Sequence, residues 1–234
     1  MAIQQLTLKF ENEISAAEVK LLRGAVIAAL QNDNVLFHNH IGEGLRYAYP
    51  LIQYKRIGGK AAIVCIGEGV NVIGEFFNKP TTMMNLGNRQ VDMKLADIRP
   101  SEFTLDQTPV MQSYVVRGWL PLNGENYHQY ISTPSLGDKI KLLEQVMVGN
   151  LLSMGKGLGV HWEEPLTCCI TSVLRSYPKM YKSIRLMAFD VEMKCNLRLP
   201  SYIGIGKNVS LGSGTIYKKR ALVGHVVVNK DNEH

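Results

Sequence analysis

The chain has 234 residues, of which 46% are hydrophobic and 20% are charged, and its formal net charge is +6. This is the composition of an ordinary soluble globular protein. No stretch approaches the roughly 20 apolar residues of a membrane span, and the first residues lack the basic and apolar regions of an export signal. The four cysteines include no C-x-x-C pair, which predicts reduced thiols rather than a zinc site. We therefore predict a cytoplasmic protein without membrane contact.

The basic residues are concentrated towards the end of the chain. Residues 179–220 hold nine lysines and arginines against two acidic residues, a net charge of +7 that leaves the rest of the chain close to neutral. A basic segment on a neutral body favours a polyanionic partner. A solvated basic face without any partner is the alternative interpretation, and charge alone does not separate the two.

The first half of the chain predicts the order strand, helix, strand, strand, helix, strand. Ser15 and Glu18 form a capping box that opens the first helix. Two strand-like runs flank Gly58-Gly59, which is a hairpin signal. The predicted elements are a strand at 4–10, a helix at 15–30, two strands within 45–67, a helix at 68–80 and a strand at 89–100.

The second half predicts a related order with one helix missing. Its predicted elements are a strand at 110–122, a helix at 135–154, strands at 165–178 and 184–200, a glycine-rich segment at 204–214 and a closing strand at 220–230. The glycine-rich segment takes the place of the second helix.

The element order of the first half is that of the ferredoxin-like unit, which RRM domains share. We therefore predict an α+β fold of two tandem ferredoxin-like (RRM-like) domains, the second degenerate and carrying the glycine-rich loop. The proline-containing stretch 99–109 has little periodicity, so the boundary is placed near residue 105. The predicted domains are residues 1–105 and 106–234.

Residues 204–214, hereafter the glycine loop, are a candidate RNA-binding element. Gly204 and Gly206, and then Gly212 and Gly214, bracket Lys207. Glycine permits positive φ and a close approach of backbone to ligand, and successive amides can form an anion nest to which Lys207 adds charge. The spacing matches neither a P-loop nor a dinucleotide fingerprint. A hairpin with tight turns is the alternative, but the basic surroundings favour binding of a phosphate backbone.

His38 and His40 are candidate catalytic residues. Histidine titrates near neutrality, so two imidazoles can serve as base and acid without a metal. In an extended segment, residues i and i+2 point the same way, which places both imidazoles near one phosphate. The alternative is that both are surface or helix-capping histidines without a catalytic role. The tripeptide formed by residues 38–40 reads HNH, but it does not indicate a metal-dependent HNH nuclease. That class takes its name from residues that are dispersed over a structural element, not from three adjacent letters.

Arg46 and Tyr47 follow the histidines closely. A tyrosine hydroxyl can orient a phosphate or ribose. An arginine can stabilise the negative charge of the phosphorane that forms when a 2′-hydroxyl attacks a phosphate of RNA. Alternating tyrosines in this stretch are equally typical of strand packing. Lys55, near the hairpin turn, could contact RNA or be solvated.

Taken together, these residues resemble the CRISPR-associated endoribonucleases that process repeat RNA. The string GIGKNVSLGSG is similar to that family's G-x-G-x5-G-x-G loop, and histidine follows the first helix as it does there. FHNHIGEGLRYAYPLIQYK resembles the subtype in which a histidine pair acts with a tyrosine, here Tyr47.

The resemblance implies metal-independent cleavage within the CRISPR repeat, with no cofactor and with repeat RNA as partner. His38, His40 and Tyr47 would be catalytic; Arg46, Lys207 and the four loop glycines would contact RNA. Other CRISPR-associated subunits and a homodimer are further candidate partners. A non-catalytic RNA-binding subunit of a guide-RNA complex is the main alternative, and a small-molecule enzyme on the same scaffold is a weaker one.

Overall fold

The computed structural model of the protein describes residues 2–30, 40–41, 44–45, 49–77, 82–181 and 183–219. Its strands are β1 (Ile3–Glu13), β2 (His40–Ile41), β3 (Gly44–Leu45), β4 (Ile52–Ile57), β5 (Lys60–Ile66), β6 (Met83–Leu86), β7 (Arg89–Asp92), β8 (Leu95–Phe103), β9 (Gln107–Trp119), β10 (Cys168–Tyr181), β11 (Ile184–Leu197) and β12 (Thr215–Lys218). Its helices are α1 (Val19–Leu30), α2 (Glu68–Val72), α3 (Gly74–Phe77), α4 (Gly124–Ser132) and α5 (Leu136–Gly157). Within the described ranges, no helix is both long and apolar enough to cross a bilayer.

The first half is a four-stranded antiparallel sheet in the order β4-β5-β1-β8, which packs on α1. This is the ferredoxin-like order, and it confirms the predicted fold of this half. The Ser15 capping box is present, with the Glu18 carboxylate accepting the Ser15 N–H at 2.7 Å. Gly58 and Gly59 have φ of +60° and +87°, the backbone that a tight hairpin between β4 and β5 requires.

The strand predicted at 89–100 is wrong as one element, because the chain turns in its middle. β7 pairs with β6 in a separate hairpin, whereas β8 pairs with β1. Between them, Met93 is buried in the first core and the Lys94 N–H donates to the Asp92 carbonyl at 3.1 Å. The polar–apolar alternation runs through this turn, which is why periodicity alone does not reveal it.

The second half repeats the ferredoxin-like order as β10-β11-β9-β12, and every pairing is antiparallel. Helix α5 fills the place of the first helix, and the glycine loop, with one short 3-10 turn at Val209–Leu211, fills the place of the second. The closing strand that the structure describes is β12, while the strand predicted at 220–230 lies outside the described residues. Helix α4 is an addition to the ferredoxin-like order, and none of its residues is fully buried.

Strands β4 and β5 of the first sheet are covered on both faces. One face carries Leu8, Tyr54 and Ile63 against α1, in a core that belongs to the first half alone. The opposite face carries Ala62 and Val64, which share a second core with residues of the second half. The two sheets are joined by residues 104–106. The halves share this core, and the domain boundary near residue 105 stays a prediction.

The face shared with the second half is unusually polar for a buried surface. Its members Gln5, Thr7, Gln53 and Lys55 are at most 6% exposed. Buried polar groups need partners, and several of theirs are supplied by the segment that runs through the glycine loop into β12. The loop is therefore part of the junction between the halves.

Gly214 illustrates how tightly the loop is packed. Its φ is +63°, its N–H donates to the Gly118 carbonyl at 3.0 Å, and a Cβ at this position would lie 1.8 Å from the Ile205 carbonyl oxygen. No side chain fits without moving backbone.

We expect Gly214→Ala to lower the free energy of unfolding by at least about 2 kcal/mol, because it combines positive-φ strain with a backbone overlap. Gly24→Ala is the matched control: this glycine lies within α1 with open space around it, so the change should stabilise by about 0.5–1 kcal/mol. Urea denaturation measures both. Equal stability of the Gly214 variant and the wild type would contradict the packing described here.

Candidate nucleic-acid interface

The predicted catalytic residues lie largely outside the described part of the chain. His38, Arg46 and Tyr47 are among the residues that the structure does not describe. His40 is described in its backbone alone: it lies on β2 and pairs with Leu45 of β3. The extended backbone expected at His40 is thus present, and the described site begins at Tyr49, two residues after Tyr47.

Tyr49 and Gln53 connect the segment after the histidines to the glycine loop. The Tyr49 hydroxyl donates to the Gly204 carbonyl oxygen at 2.8 Å, and the Gln53 side-chain oxygen accepts the Gly204 N–H at 3.0 Å. The Gln53 amide nitrogen also donates to the Pro50 carbonyl at 3.0 Å. Burial raises the pKa of Tyr49, so the hydroxyl keeps its proton and remains a donor. Both backbone groups of Gly204 are therefore held by the first half.

The ring of Tyr49 is also fixed from the side of α5. A Cβ on Gly157, at the end of this helix, would lie 2.3 Å from the Tyr49 Cβ. Glycine is what permits this approach, so Tyr49 is clamped between Gly157 and Gly204. Residue 49, two residues after Tyr47, therefore has a defined position in the fold.

Most amides of the loop glycines already have partners in the protein. The Gly204 N–H bonds to Gln53, the Gly212 N–H to the Val209 carbonyl at 3.1 Å, and the Gly214 N–H to the Gly118 carbonyl at 3.0 Å. These three cannot serve an anion nest without giving up those bonds. Their glycine character is instead explained by close packing, and their contact with RNA stays a prediction.

Lys207 is positioned at the rim of the loop. Its N–H donates to the Leu120 carbonyl at 3.2 Å and its ammonium to the Leu122 carbonyl at 2.9 Å. Desolvation lowers the pKa of Lys207. The side chain is exposed, and an ammonium has three donors, so two donors remain for a ligand.

Lys55 and Lys179 form a cationic pair that the sequence analysis missed. Lys55 is fully buried, neither solvated nor in a position to contact RNA directly, and its ammonium donates to the Thr215 hydroxyl at 3.2 Å. The Lys179 ammonium donates to the Ser213 hydroxyl at 3.0 Å. Within the described residues, neither ammonium forms an ion pair with a carboxylate. Burial, with Lys179 nearby, lowers the pKa of Lys55 to about 7.

The face of the second sheet that carries Lys179 adds basic and aromatic groups. Arg117 pairs with Asp190 at 3.2 Å, and the guanidinium of Arg175 lies 4.5 Å from the centre of the Tyr177 ring. Desolvation and the charge of Asp190 raise the pKa of Tyr177. Arginine and aromatic side chains on one sheet face are a common setting for RNA. Sequence reasoning could have marked this face from the spacing of Arg175, Tyr177 and Lys179 on one strand.

Comparison with known proteins agrees with this architecture. The Cas6b N-terminal domain model matches residues 1–104, and the Cas6b C-terminal domain model matches residues 88–219. A crystal structure of Cas6b is 27% identical with a TM-score of 0.87, and one of the CRISPR RNA processing endoribonuclease Cas6b is 27% identical with a TM-score of 0.71. Each of these alignments covers 94% of this chain and 100% of the other.

A curated relative supports the match over part of the chain. An uncharacterized protein of Methanocaldococcus jannaschii is 32% identical over 123 residues, which are 53% of this chain and 82% of that protein. The type IV Cas6 crRNA endonuclease Csf5 is 13% identical with a TM-score of 0.56, over 94% of this chain and 100% of its own, and shares the fold.

The two ferredoxin-like sheets pack together with the glycine loop at their junction. This architecture defines a tandem ferredoxin-like protein of the Cas6 kind. Both family models match in order along the chain, and together they extend from residue 1 to residue 219. The chain belongs to the Cas6b family. The resemblance to the CRISPR-associated repeat-RNA endoribonucleases is confirmed at this level, and the roles of the histidine pair and tyrosine stay predictions.

The buried Lys55 predicts a distinctive dependence of stability on pH. Its pKa is about 7 in the folded state against a usual value of 10.5, so between these values the unfolded chain holds a proton that the folded chain lacks. The free energy of unfolding therefore gains a contribution from Lys55 as the pH rises from 7 towards 10, at up to about 1.4 kcal/mol per pH unit.

The measurement is urea denaturation of the wild type and Lys55→Met at several values between pH 7 and pH 10. The stability of wild type relative to the variant should increase with pH, whereas Lys60→Met, at an exposed lysine of the same hairpin, should leave the pH dependence unchanged. Parallel curves for wild type and Lys55→Met would contradict the assigned burial.

Proposed function

We propose that this protein is an endoribonuclease that cleaves CRISPR precursor RNA within the repeat, without a metal ion. In this reaction a base removes the proton of a ribose 2′-hydroxyl, and the 2′ oxygen attacks the adjacent phosphorus. The bond from phosphorus to the 5′ oxygen breaks, and an acid protonates that oxygen. The products are a 2′,3′-cyclic phosphate and a free 5′-hydroxyl.

His38 and His40 supply the base and the acid in this proposal. Imidazole is matched to both tasks near neutral pH. Tyr47 orients the scissile phosphate or the ribose, and Arg46 stabilises the charge that develops on the phosphorane. The proposal takes the segment that carries them as extended, so that the side chains of residues i and i+2 act on one phosphate.

The observation that carries the proposal is the attachment at Gly204. Tyr49 and Gln53 bind both backbone groups of this first loop glycine, and Tyr49 lies two residues after Tyr47. In this proposal a substrate that contacts the glycine loop at Gly204 reaches the candidate catalytic residues that precede Tyr49 in the chain. Membership in the Cas6b family, in which one solved structure is described as a CRISPR RNA processing endoribonuclease, supports the same activity.

The second half supplies the groups that hold the RNA. Lys207 offers an exposed ammonium at the loop, and the glycines Gly204, Gly206, Gly212 and Gly214 allow the close packing that holds the loop in place. Lys179, which donates to the Ser213 hydroxyl, adds positive potential without an ion pair to a carboxylate in the described part of the chain. An RNA phosphate backbone is the natural complement of such a surface.

The test is single-turnover cleavage of a repeat RNA by purified protein in excess EDTA. We expect cleavage by wild type and by His128→Ala, a control at an exposed histidine of α4. The double variant His38→Ala/His40→Ala should lose roughly 10²-fold or more of the rate. An RNA with deoxyribose before the scissile phosphate should not be cleaved, because it lacks the attacking oxygen.

Three results would contradict the mechanism: dependence on an added metal ion, full activity of the double histidine variant, or cleavage of the deoxy substrate. Tight RNA binding without cleavage by the wild type would instead favour a non-catalytic RNA-binding subunit. Absence of RNA binding at moderate salt would reject both readings.

A further inference from the structure

A polar groove of about 540 Å³ lies between α4, α5 and the start of the glycine loop. Five carboxamide side chains line it: Asn123 at the N-cap of α4, Asn126 and Gln129 from α4, and Gln145 and Asn150 from α5. We call this site the amide groove. The helical spacing of three residues between Asn126 and Gln129 puts both on one face of α4.

The amide groove contains one charged residue among those that line it. This is Lys207, which is held by the carbonyls of Leu120 and Leu122 and keeps two ammonium donors. Leu142 and Val146 of α5 add apolar surface to the lining. The groove therefore combines neutral hydrogen-bonding groups, an apolar surface and one cation.

The wall next to the glycine loop is tightly fixed. The Asn150 side-chain oxygen accepts the Trp119 indole N–H at 2.9 Å. Since an indole only donates, this bond fixes the orientation of the amide and leaves its NH₂ group for another partner. Gly206, with φ of +84°, packs against Trp119 and Asn150. A Cβ at this glycine would lie 2.9 Å from Trp119 Cδ1 and 3.1 Å from the Asn150 side-chain oxygen.

The chemistry of the lining selects a class of ligand. Each carboxamide offers both donors and an acceptor, the pattern that base edges display, and Asn or Gln pairs with adenine through two hydrogen bonds. An apolar surface suits the flat face of a base, and a single lysine suits one phosphate. A surface for a phosphate backbone alone would instead be lined by several cations.

We propose that the amide groove binds one unpaired nucleotide of the RNA, with adenine preferred. The carboxamides of Gln129 and Gln145 bind the base edge, and Lys207 binds the adjoining phosphate. This assigns base selectivity to α4 and α5, apart from the histidine segment. The inference rests on the proposed function in that it takes RNA as the ligand.

The test uses fluorescence anisotropy with single-stranded oligoadenylate, oligouridylate and oligocytidylate of about eight nucleotides. Wild type should bind oligoadenylate roughly 5-fold to 100-fold more tightly than the other two. Gln129→Ala/Gln145→Ala should lose this preference and remain folded, because both positions are exposed on helices and alanine favours helix. Gln90→Ala removes an exposed carboxamide on β7 and should bind as wild type does.

Two further variants separate the base contact from the phosphate contact. Lys207→Gln keeps a donor for the Leu122 carbonyl but removes the charge, so it should weaken all three oligonucleotides equally and reduce the salt dependence. Gly149 also lines the groove, and a Cβ there meets nothing within 4 Å. Gly149→Leu should therefore fill the groove and abolish the adenine preference without deleting an amide.

Equal binding of the three oligonucleotides by wild type would overturn the proposal, as would an unchanged preference in both groove variants. A loss of binding to another protein in these variants, with RNA selectivity intact, would identify the groove as a protein-docking site and also overturn it. Failure of the proposed function is distinguishable, because adenine selectivity would then persist in a protein that does not cleave repeat RNA.

Discussion

The structure depends on two strands, β4 and β5, that are buried on both faces of the first sheet. One face of the first sheet packs on α1, and the other packs on the second half through a surface that includes Gln53 and Lys55. Polar groups on such a face are tolerated only where partners meet them. The loop and β12 supply those partners at Gly204 and Thr215. The same hydrogen bonds therefore fix the position of the glycine loop and the packing of the two halves against each other.

This constraint links packing to the candidate chemistry. The loop cannot move away from the first half without exposing or orphaning Gln53 and the buried ammonium of Lys55. Tyr49 is held by the same loop and by Gly157. Tyr49, two residues after the candidate catalytic residue Tyr47, therefore has a fixed position at the junction between the two halves.

Much of the fold could be predicted from the sequence, because local signals agree with the final structure. The Ser15–Glu18 capping box, the Gly58-Gly59 turn and the order of elements all led to the ferredoxin-like sheets that are observed. What could not be predicted depends on contacts between distant residues. Alternation continues through the turn at Met93, and nothing local distinguishes Lys55, which is buried, from the exposed Arg56 beside it. The partner of Tyr49 is a glycine 155 residues away.

The central claim is that the Tyr49–Gly204 bond positions the catalytic segment on the glycine loop. The most direct measurement is the single-turnover cleavage rate of Tyr49→Phe, with RNA affinity and urea stability measured beside it. The bond itself is worth about 1 kcal/mol of stability, so the variant should fold. We predict a cleavage rate reduced by about tenfold or more with RNA affinity unchanged, because misplacing catalytic groups affects the reaction rather than binding. A folded variant that cleaves at the wild-type rate would contradict the account.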